Sequence, residues 1–351
     1  MFDPAMTACD KGTAGHTAII TWFVADDAAN ATWFPQVGGR SDAPEAQATY
    51  WRCTVAFFAS SLALNPGARH MFYTNTRVPR IDGVDLAALF ARWGVEVIAL
   101  PITYRLPRNA VSSWGNQFYV FDVLDDLAGR EDIARSIVLD SDCVWRQPVD
   151  RLVAAIDAHG ALTYELDHSE HAEHEAINGL SRAGMARFLA RHSGPERSAT
   201  PYFGGEIYAA RRDVTRAIAA RARVLWPELV AGAPDAPREE AHLLSVIYAL
   251  ERIAPGTANG FIRRMWTTFH HHNLAPTDAA LAIWHLPAEK KTGFADLFRA
   301  IVADPACDPR HDAASMGLAP AQVARAMGWP RRRPAKFARD LSLKLREKIG
   351  T

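Results

Sequence analysis

Short apolar runs alternate with segments of helical spacing along the first half of the chain. Four runs rich in β-branched and other apolar residues predict buried strands, at residues 17–25, 70–74, 95–100 and 136–139. Three segments between them carry apolar residues at helical spacing and predict helices, at residues 46–64, 84–93 and 113–127. This alternation predicts an α/β fold, with a mixed, mostly parallel sheet flanked by helices on both faces.

The second half of the chain is less regular. Residues 161–165 and 205–209 predict strands, and residues 213–225 and 239–253 predict helices. The stretch 167–198 is polar and contains several histidines, which is typical of a loop, and we expect it to lie over a site.

The composition excludes some classes of function. Lys and Arg number 39, as do Asp and Glu, and a net charge of zero argues against a nucleic-acid binder. The four cysteines are scattered without a CxxC pair, which favours a reduced cytosolic protein. Residues 1–15 lack the pattern of a signal peptide, and the longest apolar run, 54–64, is too short to cross a bilayer. We therefore expect a cytoplasmic protein.

Acidic residues follow two of the predicted strands. Asp26 and Asp27 follow the first, and Asp140 and Asp142 follow the strand at 136–139. Ligands of open α/β sheets bind beyond the carboxyl ends of the strands. Mg²⁺ and Mn²⁺ prefer oxygen ligands and often bind a few carboxylates plus substrate phosphates, so Asp140 and Asp142 are candidate metal ligands. The alternative for a lone DxD pattern is an Asx-turn or a helix cap.

Two further segments carry candidate chemistry. His285 offers an imidazole that suits Mn²⁺, and Lys290 and Lys291 offer point charges that suit a diphosphate. The alternative for this segment is a surface turn with incidental charge. Glu239 and Glu240 begin a predicted helix, where capping is a sufficient explanation in isolation.

Taken in chain order, these features resemble the family of glycogenin and bacterial lipopolysaccharide galactosyltransferases, and GT-A glycosyltransferases more broadly. The resemblance runs from about residue 19 to residue 291. It implies a Rossmann-like GT-A fold and metal-dependent transfer of a hexose from a nucleotide-diphosphate sugar, most readily a UDP-sugar. The implied acceptor is a glycan or a lipid-linked glycan, the implied process is surface polysaccharide synthesis, and the implied cofactor is Mn²⁺ or Mg²⁺.

The resemblance also implies roles for individual residues. The metal ligands are Asp140, Asp142 and His285. The residues that bind the donor or acceptor are Ala25, Asp26 and Asp27 at the first-strand end, Gly204, Gly205 and Glu206 in the sugar pocket, and Lys291 at the diphosphate, with Lys290 beside it. The residues beside the reacting carbon are Glu239 and Glu240, of which Glu240 is the stronger catalytic candidate.

The chain departs from the family pattern at several positions. Gly204 replaces an asparagine, Glu206 stands where a small apolar residue is usual, and Glu240 replaces a glutamine. Thr292 and Gly293 replace a proline and a tryptophan, and the predicted helix 113–127 lacks the basic residue of the family. These departures leave the sugar open, and also whether the anomeric configuration is retained or inverted.

Two functions from other classes are alternatives. A nucleotidyltransferase also pairs carboxylates with a metal on an α/β sheet. It needs a glycine-rich phosphate loop near the first strand, and Gly38 and Gly39 lie well past it. A non-catalytic scaffold derived from a transferase is the other alternative, and the presence of every proposed metal ligand argues against it.

The remaining signals lie outside this constellation. His168, His171 and His174 recur at helical spacing, as metal ligands can, but a solvated, charged loop is the favoured interpretation.

We expect a flexible N-terminus at residues 1–16, a catalytic domain at 17–300 and a basic, helical C-terminal appendage at 301–351. The last helix carries an apolar stripe flanked by basic residues, which suits a peripheral membrane contact or docking on the domain equally.

Overall fold

The computed structural model describes residues 15–107, 110, 113–166, 174–193, 202–268, 271–331 and 333–349. The strands in this part of the chain are β1 (His16–Phe23), β2 (Trp33–Phe34), β3 (Gly39–Arg40), β4 (Arg69–Thr74), β5 (Arg80–Ile81), β6 (Val84–Asp85), β7 (Glu96–Ala99), β8 (Ile133–Leu139), β9 (Cys143–Trp145), β10 (Ala161–Glu165), β11 (Ala176–Ile177), β12 (Leu180–Ser181), β13 (Phe203–Arg211), β14 (Gly256–Thr257), β15 (Ile262–Arg264) and β16 (Ile283–His285). The α-helices are α1 (Pro44–Leu64), α2 (Leu86–Trp93), α3 (Tyr119–Gly129), α4 (Asp150–His159), α5 (Arg182–Ser193), α6 (Arg212–Val230), α7 (Glu240–Leu250), α8 (Gly293–Ile301), α9 (Pro309–Asp312), α10 (Pro320–Met327) and α11 (Pro334–Ile349).

The central sheet has seven strands in the order β14–β10–β13–β8–β1–β4–β7. Strand β1 pairs in parallel with β4 and β8, and β4 pairs in parallel with β7. Strand β13 is antiparallel to its neighbours β8 and β10, while β10 and β14 are parallel. The predicted α/β class, with a mixed and mostly parallel sheet flanked by helices, is therefore confirmed.

Helices cover both faces of this sheet. Ile19 and Ile20 are neighbours on β1, yet they belong to different buried clusters, because successive side chains on a strand point to opposite faces. Ile19 shares its cluster with Phe57 and Phe58 of α1. Ile20 shares the other cluster with Phe121 of α3, and with residues of α6 and α7. The strands are apolar on both faces for this reason.

A smaller sheet, in the order β15–β16–β9, stands at the carboxyl end of β8. Strand β9 follows β8 after a short turn and pairs antiparallel with β16, which pairs in parallel with β15. The pairing places His285 opposite Cys143. Chain segments separated by more than 100 residues therefore meet beside the Asp140–Asp142 turn.

Two predicted helices begin later than their patterns indicated. Helix α2 begins at Leu86 because Val84 and Asp85 pair with Arg80 and Ile81 as a short hairpin. The Asp85 side chain then caps the helix by accepting from the backbone N–H of Ala88. The helix predicted at 113–127 begins only at Tyr119. Trp114 has a φ of 47°, a left-handed conformation that is incompatible with a helix interior.

The C-terminal elements pack on the same side of the sheet as α1. Phe298, Met316 and Met327 lie in the buried cluster that contains Phe57. Helix α11 buries Lys336 and Asp340 against the protein, while Leu343 and Leu345 are exposed. Among the described residues no helix is both long and apolar enough to span a bilayer. The domain boundary at residue 300 and a peripheral membrane contact stay predictions.

Candidate active site

A tight turn carries the two aspartates of the DxD pattern beyond β8. The backbone N–H of Asp140 donates to the Glu206 carbonyl at 3.3 Å, and the N–H of Cys143 donates to the Asp140 carbonyl at 3.2 Å. Strands β8 and β9 are buried on both sides of this turn. The fold therefore presents both carboxylates together at the carboxyl edge of the sheet.

The third predicted ligand, His285, reaches the same point through β16. The Leu286 N–H donates to the Asp142 carbonyl at 3.0 Å, which fixes β16 against the turn. His285 Nε2 lies 3.4 Å from Asp140 Oδ2 and 3.3 Å from Asp142 Oδ2. One ligand atom from each of the three residues lies within 4.8 Å of the others. Two carboxylates and one imidazole fit a divalent cation such as Mn²⁺ or Mg²⁺.

The electrostatics of the two aspartates differ although they are two residues apart. Desolvation at the cleft floor raises the pKa of Asp140 to about 6, and its neighbour Asp142 adds to the rise against the opposing effect of His285. Burial also acts to raise the pKa of Asp142, but Lys290 and His285 outweigh it and hold that pKa below its ordinary value. A bound cation would favour the ionised form of Asp140 as well.

A cleft of about 490 Å³ opens above these residues, a volume typical of small-molecule sites. Its walls contain several aromatic residues, among them Phe34, Tyr50, Trp114, Tyr202 and Trp266. Asp140, Asp142, His285 and Lys290 also line the cleft. The candidate metal ligands therefore face a space that is large enough for part of a nucleotide sugar.

The predicted sugar segment lies on β13 and lines the same cleft. A Cβ at Gly205 would overlap Glu240 Oε1, and a Cβ at Gly204 would overlap Glu206 Oε2. The two glycines thus leave the room that two carboxyl groups occupy. Glu206 is fully buried, and its Oε1 lies 2.5 Å from Nε of Arg264 on β15.

Glu239 and Glu240 at the start of α7 have different environments. Glu239 is buried, and its two oxygens accept hydrogen bonds from the Tyr202 hydroxyl and the Asn178 amide. Glu240 lines the cleft, and its Oε2 has no hydrogen-bond partner in the described part of the chain. Burial first, and Glu239 second, raise the pKa of Glu240 well above its ordinary value. Of these two glutamates, Glu240 is therefore the better candidate for contact with a ligand.

The two neighbouring lysines point in different directions. Lys290 is buried, forms an ion pair with Asp142, and places Nζ 5.4 Å from the centre of the Tyr50 ring. Lys291 is exposed and does not line the cleft; its Nζ lies near Gly38 instead. The lysine that faces the cleft is therefore one residue earlier than the one that the resemblance assigned to the diphosphate.

Ala25, Asp26 and Asp27 do not line the cleft. The Asp26 side chain has no exposed surface, and its oxygens meet Arg105 Nη2 at 2.8 Å and Asn116 Nδ2 at 3.3 Å. Asp27 is exposed and accepts from its neighbour Asn30. The backbone of Ala25 exchanges hydrogen bonds with the side chain of Asn75. The structure therefore occupies these polar groups with partners from the chain itself.

Several cleft residues carry no recognisable sequence signal. Arg264 and Trp266 reach the site only because β15 pairs with β16, and that pairing joins segments that no motif marks. Trp114 comes from the irregular segment before α3, and Asn178 comes from the turn that joins β11 and β12. His168 and His171 lie outside the described residues, while His174 lies in an exposed turn and does not line the cleft.

Comparisons with known proteins identify no family. No protein-family model matches the chain, and no curated protein sequence matches it. Among solved structures, the chain is similar to apo mouse xyloside xylosyltransferase 1, with 13% identity and a TM-score of 0.43 over 76% of this chain and 96% of that chain. At this identity and TM-score the similarity identifies no donor, acceptor or reaction.

Proposed function

We propose that the protein is a metal-dependent glycosyltransferase that moves a sugar from a nucleotide-diphosphate donor to an acceptor hydroxyl. The convergence of Asp140, Asp142 and His285 at the floor of a large cleft, with buried Lys290 beside them, is the observation that carries this proposal. These groups suit a metal-bound diphosphate, and the aromatic residues in the walls suit the flat faces of a nucleoside and a sugar.

The chemistry requires charge stabilisation at the leaving group. The donor C1–O bond breaks, the diphosphate leaves with the bonding electrons, and the acceptor oxygen bonds to C1. A divalent cation, when bound, supplies positive charge that stabilises the departing diphosphate. Lys290 supplies a second positive charge beside Asp142. The acceptor proton passes to a carboxylate base in an inverting enzyme, or to the leaving diphosphate in a retaining one.

Glu240 is our candidate for the polar group beside the reacting carbon. It lies in the cleft wall and has a carboxyl oxygen with no hydrogen-bond partner among the described residues, whereas both oxygens of Glu239 are engaged. We assign Glu239 to holding Tyr202 and Asn178, and thereby to shaping the pocket. Glu206 is the next carboxyl group to consider, because it lies in the same wall.

The finer assignments rest on the sequence resemblance. We propose a hexose as the transferred sugar, a UDP-sugar as donor, Mn²⁺ or Mg²⁺ as metal, and a glycan or lipid-linked acceptor in surface polysaccharide synthesis. Retention of the anomeric configuration follows from the same resemblance, and NMR of the product tests it. We also propose action at the cytoplasmic face of a membrane.

The deciding experiment measures release of nucleoside diphosphate from a panel of nucleotide sugars, with and without Mn²⁺. We expect Mn²⁺-dependent release with at least one donor, and its loss in Asp142→Ala. Pyrophosphate release from a nucleoside triphosphate and a sugar phosphate would instead identify a nucleotidyltransferase. A protein that releases neither product from any substrate would be a non-catalytic relative.

A further inference from the structure

A buried network ties the C-terminal helix to the segment between His285 and Lys290. Its centre is Glu289, a fully buried residue that ends a short 3₁₀ turn, Pro287–Glu289. One carboxylate oxygen of Glu289 accepts from the Thr292 hydroxyl at 2.7 Å and from the Gly293 N–H at 3.1 Å. The turn that precedes Lys290 is thus anchored through its last side chain.

The other oxygen of Glu289 faces two segments that are distant in sequence. It accepts from the Thr267 hydroxyl at 2.6 Å and forms an ion pair with Lys336 Nζ at 2.7 Å. Thr267 follows Trp266, which lines the cleft, and Lys336 belongs to α11. Glu289 therefore joins the cleft wall, the lysine turn and the C-terminal helix at one point.

Lys336 is the cation on which this arrangement depends. Its side chain is 8% exposed, and Nζ also meets Asp340 Oδ2 at 2.8 Å. Two buried carboxylates are costly unless they are paired, because the interior solvates charge poorly. The lysine supplies that pairing between its own helix and the 3₁₀ turn.

Two glycines leave the space that the pair occupies. A Cβ at Gly293 would lie 2.8 Å from Glu289 Oε2, and a Cβ at Gly328 would lie 2.7 Å from Lys336 Cδ. Gly328 also ends α10 in the left-handed conformation, with a φ of 68°. Backbone from α8 and α10 thus closes around the Lys336–Glu289 pair, which is typical of a defined contact rather than a surface ion pair.

We propose that Lys336 is a positioning residue for the candidate metal centre. Its ion pair with Glu289 fixes the turn from which the next residue, Lys290, reaches Asp142. Helix α11 thereby supports the cleft although none of its described side chains lines it. The part of this inference that concerns the diphosphate rests on the proposed function, whereas the part that concerns the cation rests on the ligand geometry alone.

The test compares three variants of the full chain. Lys290→Met is the reference, Lys336→Met is the test, and Arg339→Met is the matched control. Arg339 lies on the same helix, and its Nη1 pairs with Asp296 on α8 at 2.6 Å, away from Glu289 and the cleft. Binding of Mn²⁺ alone is measured by electron paramagnetic resonance, and binding of UDP in the presence of Mn²⁺ by calorimetry.

The affinity for Mn²⁺ alone and the affinity for UDP with Mn²⁺ are expected to change in opposite directions. Lys290→Met removes the cation beside Asp142, so Mn²⁺ alone binds more tightly while UDP with Mn²⁺ binds roughly tenfold more weakly, the scale of a charge-assisted contact. Lys336→Met changes both affinities in these same directions but by less than Lys290→Met does, because it loosens Lys290 without removing its charge. Arg339→Met changes neither affinity, and Lys336→Arg restores both towards the wild-type values.

Other outcomes overturn the inference. A folded Lys336→Met with wild-type affinities for Mn²⁺ and UDP contradicts it, and so does a folded Lys336→Met that loses both affinities in parallel. If Lys336→Met does not fold, Glu289→Gln takes its place, because it keeps the shape of the side chain while it removes the charge and one of the two acceptor oxygens. Tighter Mn²⁺ binding in Lys336→Met with no UDP binding even in the wild type supports the positioning role and removes the proposed function.

Discussion

Two pairs of acidic residues follow neighbouring strands of the central sheet, and the fold uses them differently. Asp26 and Asp27 follow β1, and Asp140 and Asp142 bracket the turn after β8, which pairs with β1 in parallel. In sequence the two pairs look alike, because each follows an apolar strand. In the structure only the second pair faces the cleft.

The difference lies in the partners that the chain supplies. Asp26 is enclosed by Arg105 and Asn116, which satisfy its carboxylate internally. Asp140 keeps 39% of its side chain exposed and meets the imidazole of His285. A carboxylate at a strand end is thus available to a ligand only where the surrounding elements leave lone pairs unused.

Removal of a candidate ligand from the second pair gives the largest expected effect. Asp142→Asn should lower nucleoside diphosphate release at least about a thousandfold, because it removes the charge of a candidate metal ligand and of the partner of Lys290. The measurement is release at saturating Mn²⁺, with circular dichroism to show that the variant is folded. Full activity of both Asp140→Ala and Asp142→Ala in the presence of a chelator would contradict the assignment of these residues as metal ligands.

Glu239 and Glu240 at the start of α7 are another pair of acidic residues whose two members have different environments, and they line the same cleft. Glu240→Gln should lower kcat at least about a hundredfold, the lower end for acid–base work, with donor affinity nearly unchanged. Glu239→Gln should have a smaller effect on kcat, because its oxygens are engaged by Tyr202 and Asn178. Steady-state kinetics of both variants is the measurement. Normal turnover in both would move the catalytic assignment to Glu206.

The sequence predicts the fold well because the sheet is built from short, continuous apolar strands. The family resemblance also groups Asp140, Asp142 and His285 as metal ligands, and the three meet in the structure through the antiparallel pairing of β9 with β16. That prediction rests on the order in which the motifs follow one another along the chain, not on the number of residues between them. The fate of Asp26 was not predictable, because Arg105 comes from the irregular segment between β7 and α3.

The orientation of adjacent side chains is a further limit of sequence reasoning. Lys290 and Lys291 follow a 3₁₀ turn, and only the folded structure shows that the first points to Asp142 and the second to the surface. The position of Arg264 in the site was not predictable for a similar reason, because a strand of only three residues places it beside Glu206. Short irregular elements set these directions, and their sequences carry no periodicity from which to read them.

The two lysines provide the third test. Lys290→Ala should weaken donor binding by about 1–3 kcal/mol, the scale of a charge-assisted contact, because Lys290 is the lysine that lines the cleft. Lys291→Ala is the matched control and should change binding little. Calorimetric titration with a nucleoside diphosphate and Mn²⁺ compares them. A loss confined to Lys291→Ala would restore the assignment that the resemblance implied.

The smallest effect on turnover is expected at the first-strand end, where the resemblance and the structure give opposite answers. Asp26→Asn breaks the ion pair with Arg105 and leaves a largely buried guanidinium without its partner. A lost buried hydrogen bond to a charged group costs about 1–3 kcal/mol, so the free energy of unfolding should fall by that amount in a denaturant titration. Turnover and donor KM should stay within about twofold of wild type at temperatures where the variant is folded, because Asp26 does not line the cleft. A donor KM raised tenfold in fully folded Asp26→Asn would show instead that this edge contacts the nucleoside. The ends of β1 and β8 would then contact the same ligand, the first at the nucleoside and the second at the metal.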